Sequence, residues 1–227
     1  LQLSQAPPAF AMKTARSWPE TMMPARNSLL AGPQPAYRIG HYPATLIDVW
    51  TLRNGIRVTL RPVLPQDHGL LGDMIRRLSQ ATRYNRFHGA VSGLSYDALR
   101  QMTQVDYIRH HALVITTTDC KHERVVADGR YVVNDEGDSA EFAIVVDDEW
   151  QRRGLAERAM RLLGTAAQQQ GLGWLHGSVL SANAPMLSLM QRCAFRCTPD
   201  RKDDRLVQVE ARVDHATPTP AAWRGAS

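Results

Sequence analysis

The hydrophobic pattern of the chain changes period after residue 146, and this change constrains the fold more than any other feature. Residues 139–146, SAEFAIVV, read as a β-strand rich in Val and Ile. From residue 155 onward, apolar side chains recur at helical spacing, and Gly171 stands where a C-terminal cap belongs. The loop DDEWQRRG between them therefore leads from a strand into the N-terminus of a helix.

The rest of the chain alternates between the same two periods. Pro65, Gln66 and Asp67 open a helix after a strand, and the helical pattern over 80–104 is interrupted near Gly89 and Gly93. The predicted strands are 55–63, 111–117, 124–133, 139–146, 174–180, 195–198 and 205–212, and the further helices begin at 155 and 184. Three consecutive strands can form an antiparallel meander, and a helix then permits a parallel crossover. The predicted fold class is therefore α/β (α+β) with a mixed central sheet.

Composition sets the domain organisation. The chain has 227 residues, 44% of them apolar, which is enough for one sizeable core. Residues 1–36 contain six prolines and few charges, so we expect a flexible arm there, a single domain over 37–213, and a flexible tail over 214–227.

Charge and cysteine content narrow the class of partner and the compartment. The formal net charge of +5 suits an anionic partner, which could be a phosphorylated cofactor, a nucleic acid or an acidic protein face. Three cysteines without a CxxC pair favour free thiols in a reducing cytosol. No run reaches the roughly 18 apolar residues of a membrane span, so we expect a cytoplasmic protein without a membrane partner. His110 and His111 lack further ligands at metal spacing, so we expect no metal.

The strand, loop and helix start at 146–156 have the ingredients of an anion site. The first-turn N–H groups of a helix are unpaired, and its macrodipole directs positive potential at the loop. Gly154 and Ala156 would let a pyrophosphate approach the backbone, and Arg152 and Arg153 add positive charge. On these residues alone, an ordinary helix start with solvated arginines remains an alternative.

The string QRRGLA at 151–156 resembles the Q/R-x-x-G-x-G/A loop of the GCN5-related N-acetyltransferases, the GNAT family. The preceding strand, the following helix, the strand GSVL and the stretch NAPMLSLMQRCAF at 183–195 fall in the family's order. The strings at 41–67, 77–89, 104–107 and 140–146 resemble the acetyltransferase domain of bacterial Pat-type protein lysine acetyltransferases. The resemblance implies a GNAT fold, with a mostly antiparallel sheet splayed after its fourth strand and flanked by helices, and acetyl-CoA as cosubstrate.

The resemblance also implies roles for individual residues. Glu141 is the candidate general base, although an exposed strand glutamate in a cross-strand ion pair is the alternative. The backbone of Val145 and Val146 would pair with the pantetheine arm, and an N–H near Val145 would stabilise the oxyanion. The pyrophosphate loop would comprise Gln151, Arg152, Arg153, Gly154, Leu155 and Ala156.

The segment that begins at Asn183 carries the remaining candidates. Asn183 either binds the pantetheine or caps the following helix. Met186 and Met190 either line the acyl channel or pack in the core. Many family members have a tyrosine as general acid where this chain has Met190, so that acid is missing here.

The leading functional hypothesis is acetyl transfer to a protein lysine Nε-amine by direct attack in a ternary complex. The expected partner is a protein with a reactive lysine, with an acyl-CoA synthetase as one candidate. We expect no nucleic-acid partner. The alternatives are a GNAT that acts on a small-molecule amine or amino acid, and a non-catalytic acyl-CoA-binding regulatory module.

Overall fold

The structure, a computed structural model, describes residues 41–119 and 122–213. The arm predicted over 1–36, the tail predicted over 214–227 and Cys120 lie outside the described residues. No helix in the described ranges is long and apolar enough to span a membrane.

A mixed sheet of eight strands forms the centre of the described chain. The strands are β1 (Asp48–Thr51), β2 (Arg57–Pro62), β3 (His110–Asp119), β4 (His122–Val133), β5 (Ser139–Val146), β6 (Trp174–Leu180), β7 (Arg196–Pro199) and β8 (Leu206–Arg212). Their order is β1-β2-β3-β4-β5-β6-β8-β7, and every ladder is antiparallel except that between β5 and β6. The seven predicted strands are confirmed. The sequence prediction missed β1, a four-residue edge strand.

Five α-helices flank the sheet. They are α1 (His68–Arg77), α2 (Gln80–Phe87), α3 (Tyr96–Thr103), α4 (Leu155–Gln169) and α5 (Ala184–Arg192). Ser79 and Ser95 cap α2 and α3, accepting hydrogen bonds from Thr82 N at 3.1 Å and Ala98 N at 3.2 Å. Ser95 starts a new helix within the helical stretch predicted over 80–104, which therefore forms two helices, as its glycines indicated.

Two hydrophobic cores lie on opposite faces of the sheet. One packs α4 and α5 against the face that carries Phe142 and Ile144. The other packs α1 and α3 against the face that carries Val145. Because side chains alternate along a strand, Glu141 shares the face of Val145.

The sheet splays between β5 and β6. Their ladder pairs Ser139–Glu141 with Trp174–His176 and then stops, while β5 continues along β4 and β6 continues along β8. Gly177 sits at the fork, where a Cβ atom would approach the Phe142 carbonyl oxygen to 3.2 Å. The gap opens after the fourth predicted strand, as the resemblance implied, and it positions the candidate site.

Candidate active site

A cleft continues from the gap in the sheet. Near the fork it is a narrow cavity of about 50 Å³ beside Glu141, and it widens to about 440 Å³ at the start of α4. Both parts share Asn85, Ile144, Asn183 and Met186 as lining residues, so they form one continuous groove. The groove joins the predicted anion loop to the predicted base.

The wide end of the cleft has the geometry of an anion site. Gly154 is the N-cap of α4 with φ +79°, a left-handed conformation that glycine adopts without strain, and the space beside it is open. The first bond of the helix runs from Arg158 N to Gly154 O at 3.1 Å, so the N–H groups of the preceding turn are available to a ligand. Arg152 lines the cleft. These amides and this arginine fit a pyrophosphate.

Two carboxylates, the buried Asp147 and the exposed Asp148, hold the loop before α4 in place. Asp147 is 2% exposed and accepts from Arg77 Nε and Arg124 Nη2, both at 3.1 Å. Asp148 accepts from Ser79 N at 2.8 Å and Thr82 Oγ1 at 2.6 Å, which ties the loop to α2. The amides at the start of α4 are therefore positioned before a ligand arrives.

The two arginines of the loop have different surroundings. Arg153 stacks on the Trp150 ring at 4.9 Å and donates from Nη2 to Glu149 O at 2.8 Å. It borders a separate depression with Trp50 and not the main cleft. The expectation that both arginines contribute charge to the anion site is therefore supported by position for Arg152 alone.

Glu141 lies at the narrow end, opposite Val132 of β4 and His176 of β6. Its side chain is partly buried, and this burial raises the pKa of the carboxyl to about 7. No ion pair in the described part of the chain involves Glu141, so the alternative of a cross-strand ion pair finds no partner there. A carboxyl with this pKa can exchange a proton near neutral pH.

The backbone of β5 presents alternate amides to the cleft. Asp147 N donates to Val126 O at 2.9 Å, so the Asp147 N–H points to β4. By strand alternation the Val145 N–H also points to β4, and those of Ile144 and Val146 point into the gap. The oxyanion donor expected near Val145 stays a prediction, and the N–H groups of these two neighbours are the ones that face the gap. The Val- and Ile-rich pattern predicted the strand but could not show which of its edges would be left open.

The second segment is split between cleft and core. Asn183 accepts from Met186 N at 3.3 Å as the N-cap of α5, and it also lines the cleft, so its two alternatives coexist. Met186 lines the cleft as well. Met190 has 0% exposure and packs in the core, which corrects the expectation that it lines the acyl channel.

Sequence reasoning missed the wall contributed by α2. Thr82, Asn85 and Arg86 line the wide part of the cleft, and Ser188 of α5 lies on its opposite side. Gln151 Nε2 bridges this wall to the β5 end, donating to Thr82 Oγ1 at 3.3 Å and Val146 O at 3.2 Å. The α2 sequence has an ordinary amphipathic pattern, so only the tertiary arrangement shows this role.

Among the described residues, no group of three or more His, Cys, Asp or Glu side chains is arranged to hold a metal ion. His111 is buried and stacks on Tyr131 with ring centroids 4.7 Å apart. Asp106, beside it, accepts from the backbone N–H groups of Ile108, Arg109 and His110. This histidine pair therefore belongs to the packing around β3.

Comparisons with known proteins agree with this arrangement. The sequence model of the Acetyltransferase (GNAT) domain family matches residues 57–196. Acetyltransferase PA5475 of Pseudomonas aeruginosa is 31% identical over 182 residues, which cover 79% of this chain and 97% of that protein. Acetyltransferase Pat of Mycolicibacterium smegmatis is 32% identical over 148 residues, which cover 62% of this chain and 42% of that longer protein.

Solved structures share the fold. The GNAT domain of S. lividans PAT has a TM-score of 0.68 at 24% identity, covering 76% of this chain and 99% of that one. An acetyltransferase from Salmonella typhimurium, solved with acetyl-CoA, has a TM-score of 0.56 at 17% identity, covering 72% of this chain and 98% of that one. The family match and the curated relatives show that the chain belongs to the GCN5-related N-acetyltransferases, and the splayed sheet agrees with this. The chain is therefore an acetyl-CoA-dependent N-acetyltransferase.

Proposed function

We propose that the protein acetylates the Nε-amine of a lysine in another protein, by direct attack on acetyl-CoA with Glu141 as general base. The observation that carries the proposal is the partly buried Glu141, without an ion-pair partner among the described residues, at the narrow end of a cleft whose wide end fits a pyrophosphate. The identity of the acceptor draws its support from the Pat protein of M. smegmatis and from the acceptor side of the cleft considered below.

The proton balance favours a base with a raised pKa. A lysine ammonium has a pKa of about 10.4, so loss of its proton at neutral pH costs about 4.6 kcal/mol. The pKa of about 7 makes Glu141 a stronger base than a solvated glutamate, by about 3 kcal/mol of proton-transfer free energy. Glu141 would first accept a proton from the ammonium, and the lone pair that this frees on nitrogen would then attack the thioester carbonyl carbon.

The backbone of β5 would stabilise the charge that develops on the carbonyl oxygen. The N–H groups of Ile144 and Val146 point into the gap and can donate to that oxygen. The C–S bond then breaks and the electron pair leaves with sulfur, while the second proton that the attacking nitrogen must lose passes to the departing sulfur or to solvent. Because a thiol has a pKa of about 8.5, the thiolate leaves without full protonation, and the buried Met190 takes no part in this step.

The burial and raised thiol pKa values of the cysteines favour direct attack over an acetylated-enzyme intermediate. Cys193 packs in the core, and burial, with Glu157 nearby, raises the pKa of its thiol to about 11. Cys197 is outside the cleft lining, and burial raises its pKa too. Neither cysteine of the described residues is a thiolate nucleophile at neutral pH.

The test measures CoA release from acetyl-CoA with an acyl-CoA synthetase as protein acceptor, beside a panel of small amines, and locates the acetyl group by mass spectrometry. We expect acetyl-lysine on the protein. Glu141→Gln should lower kcat/KM by about 10²- to 10⁴-fold at neutral pH without weakening acetyl-CoA binding. Asp97→Asn, an exposed carboxylate at the start of α3, is the matched control.

Two results would count against the proposal, one against the protein acceptor and the other against the role of Glu141. Turnover of small amines with no protein acetylation would reject the protein acceptor. Full activity of Glu141→Gln would reject the base and leave the acceptor in place.

A further inference from the structure

The sheet face beside Glu141 continues across the ladders to β6 and β8. Leu175, Val179 and Val209 point into the core under α4 and α5. Their strand neighbours His176 and Glu210 therefore point to the opposite side, the side of Glu141. We call this surface the acceptor face and define it by Asp138, Trp174, His176 and Glu210.

Strand register fixes how the acceptor face adjoins the candidate base. Glu141 lies beside His176 in the parallel ladder, and His176 lies opposite Glu210 in the next ladder. Trp174 is two residues before His176 and projects on the same face. From the strand spacing and rise, Trp174 lies about 8 Å from Glu141 between Cα atoms. That distance equals about two to three residues of extended chain.

Trp174 is 43% exposed, although tryptophan has a large apolar ring whose contact with water is unfavourable. An exposed tryptophan is the type of residue that anchors protein partners. Its ring face also attracts Lys and Arg side chains through cation–π contact.

Carboxylates surround this tryptophan. Glu210 lies opposite His176 in the β6–β8 ladder, and the Asp138 carbonyl oxygen accepts from Gly173 N, beside Trp174, at 2.7 Å. Asp138 accepts a hydrogen bond from Asn134 Nδ2 at 2.8 Å, as does Glu136. Neither Asp138 nor Glu136 has an ion-pair partner in the part of the chain that the structure describes.

The basic residues of the neighbourhood only partly balance these carboxylates. Arg109 pairs with Asp135 at 3.2 Å, Arg196 approaches Glu210 at 3.8 Å, and Arg212 lies opposite Trp174 in the β6–β8 ladder. The hairpin at 134–138 has three carboxylates, and Glu141 and Glu210 bring the number to five, against these three arginines. This excess of negative charge stands out in a chain with a net charge of +5.

We propose that the acceptor face binds the residues that flank the acceptor lysine and selects basic segments, with Trp174 as the aromatic anchor. The proposal rests on the protein-lysine acceptor proposed above and specifies its class. The acidic side chains attract the segment, and Trp174 contacts an Arg or Lys two or three positions from the acetylated lysine.

The test compares two peptides that have one lysine each, flanked by arginines in one and by glutamates in the other, with the full chain and saturating acetyl-CoA. We expect kcat/KM to favour the arginine-flanked peptide by about tenfold or more. Trp174→Ala should raise KM for that peptide by roughly tenfold, with little change in kcat or in acetyl-CoA affinity. Asp138→Asn should raise the same KM a few-fold and weaken its dependence on salt.

Tyr96→Ala is the matched control, since Tyr96 is an exposed aromatic residue on α3 at 60% exposure. Unchanged KM of the arginine-flanked peptide in Trp174→Ala and Asp138→Asn would overturn the proposal, as would equal losses with both peptides and a small amine. Failure of the proposed function looks different, because the wild-type protein would then acetylate neither peptide.

Discussion

Asp128 and Glu141 lie on neighbouring strands and on the same face of the sheet, yet their surroundings have opposite effects on their carboxyl groups. Asp128 accepts from Arg130 Nη2 at 2.5 Å and Nε at 3.0 Å, and it pairs with Arg86 at 3.5 Å. Burial alone would raise its pKa, but the two arginines outweigh burial and lower it. Glu141 has no such partner, and burial raises its pKa to about 7.

The comparison shows that burial does not by itself make a carboxyl group a base. Burial beside arginines produces a permanent anion that holds α2 and the sheet together. Burial without a partner produces a group whose charge changes near neutral pH. Removing the charge of Asp128 should therefore lower the stability of the protein, whereas removing the charge of Glu141 should affect proton transfer.

The largest effect is expected from Asp128→Asn. This change leaves Arg86 and Arg130 buried without their carboxylate, and burial already lowers the pKa of Arg86 to about 10. We expect the free energy of unfolding to fall by about 3–5 kcal/mol in urea titrations. Asp135→Asn, on a fully exposed side chain, should change it by less than about 0.5 kcal/mol. Equal stabilities of the two variants would show that the buried pair is energetically neutral.

The second effect is the pH dependence of catalysis. Glu141 must be ionised to accept a proton, so kcat/KM should rise tenfold per pH unit up to a pKa of about 7 and then level off. At two units below that pKa the rate constant should be about a hundredfold below the plateau. Asp128, with its lowered pKa, should add no step in this range. A step near the pKa of a solvated glutamate would show that Glu141 is not desolvated in the working enzyme.

The sequence predicted the secondary structure around Glu141 but not the surroundings of the two carboxyl groups. The Val- and Ile-rich run at 139–146 and the helical period after Gly154 are local features of the sequence, so the strand, the loop and α4 could be predicted. The state of Asp128 depends on Arg86, which a separate helix brings to the sheet. The orientation of the Ile144 and Val146 amides depends on which edge of β5 stays unpaired. β1 was missed because four residues are too few to establish a period.

The smallest expected effect is a change in the stability of the Glu141→Gln variant with pH. The raised pKa means that the folded state holds a proton that the unfolded chain has already released, so stability falls as pH rises between about 4.5 and 7. Glu141→Gln removes this penalty. Its gain in unfolding free energy over the wild type should be near zero at the acid end and reach about 1–2 kcal/mol by pH 8, after allowance for solvent screening.

Urea titrations of both proteins across this pH range measure that gain. Asp128 has the opposite linkage, because its lowered pKa contributes stability that is present above the unfolded pKa and is lost as pH falls through the folded value. A gain in Glu141→Gln that does not change with pH would come from new hydrogen bonds of the amide. A gain that grows through neutrality would come from the charge, and it would connect the lower stability of the native protein directly to the proton affinity of Glu141, the proposed base.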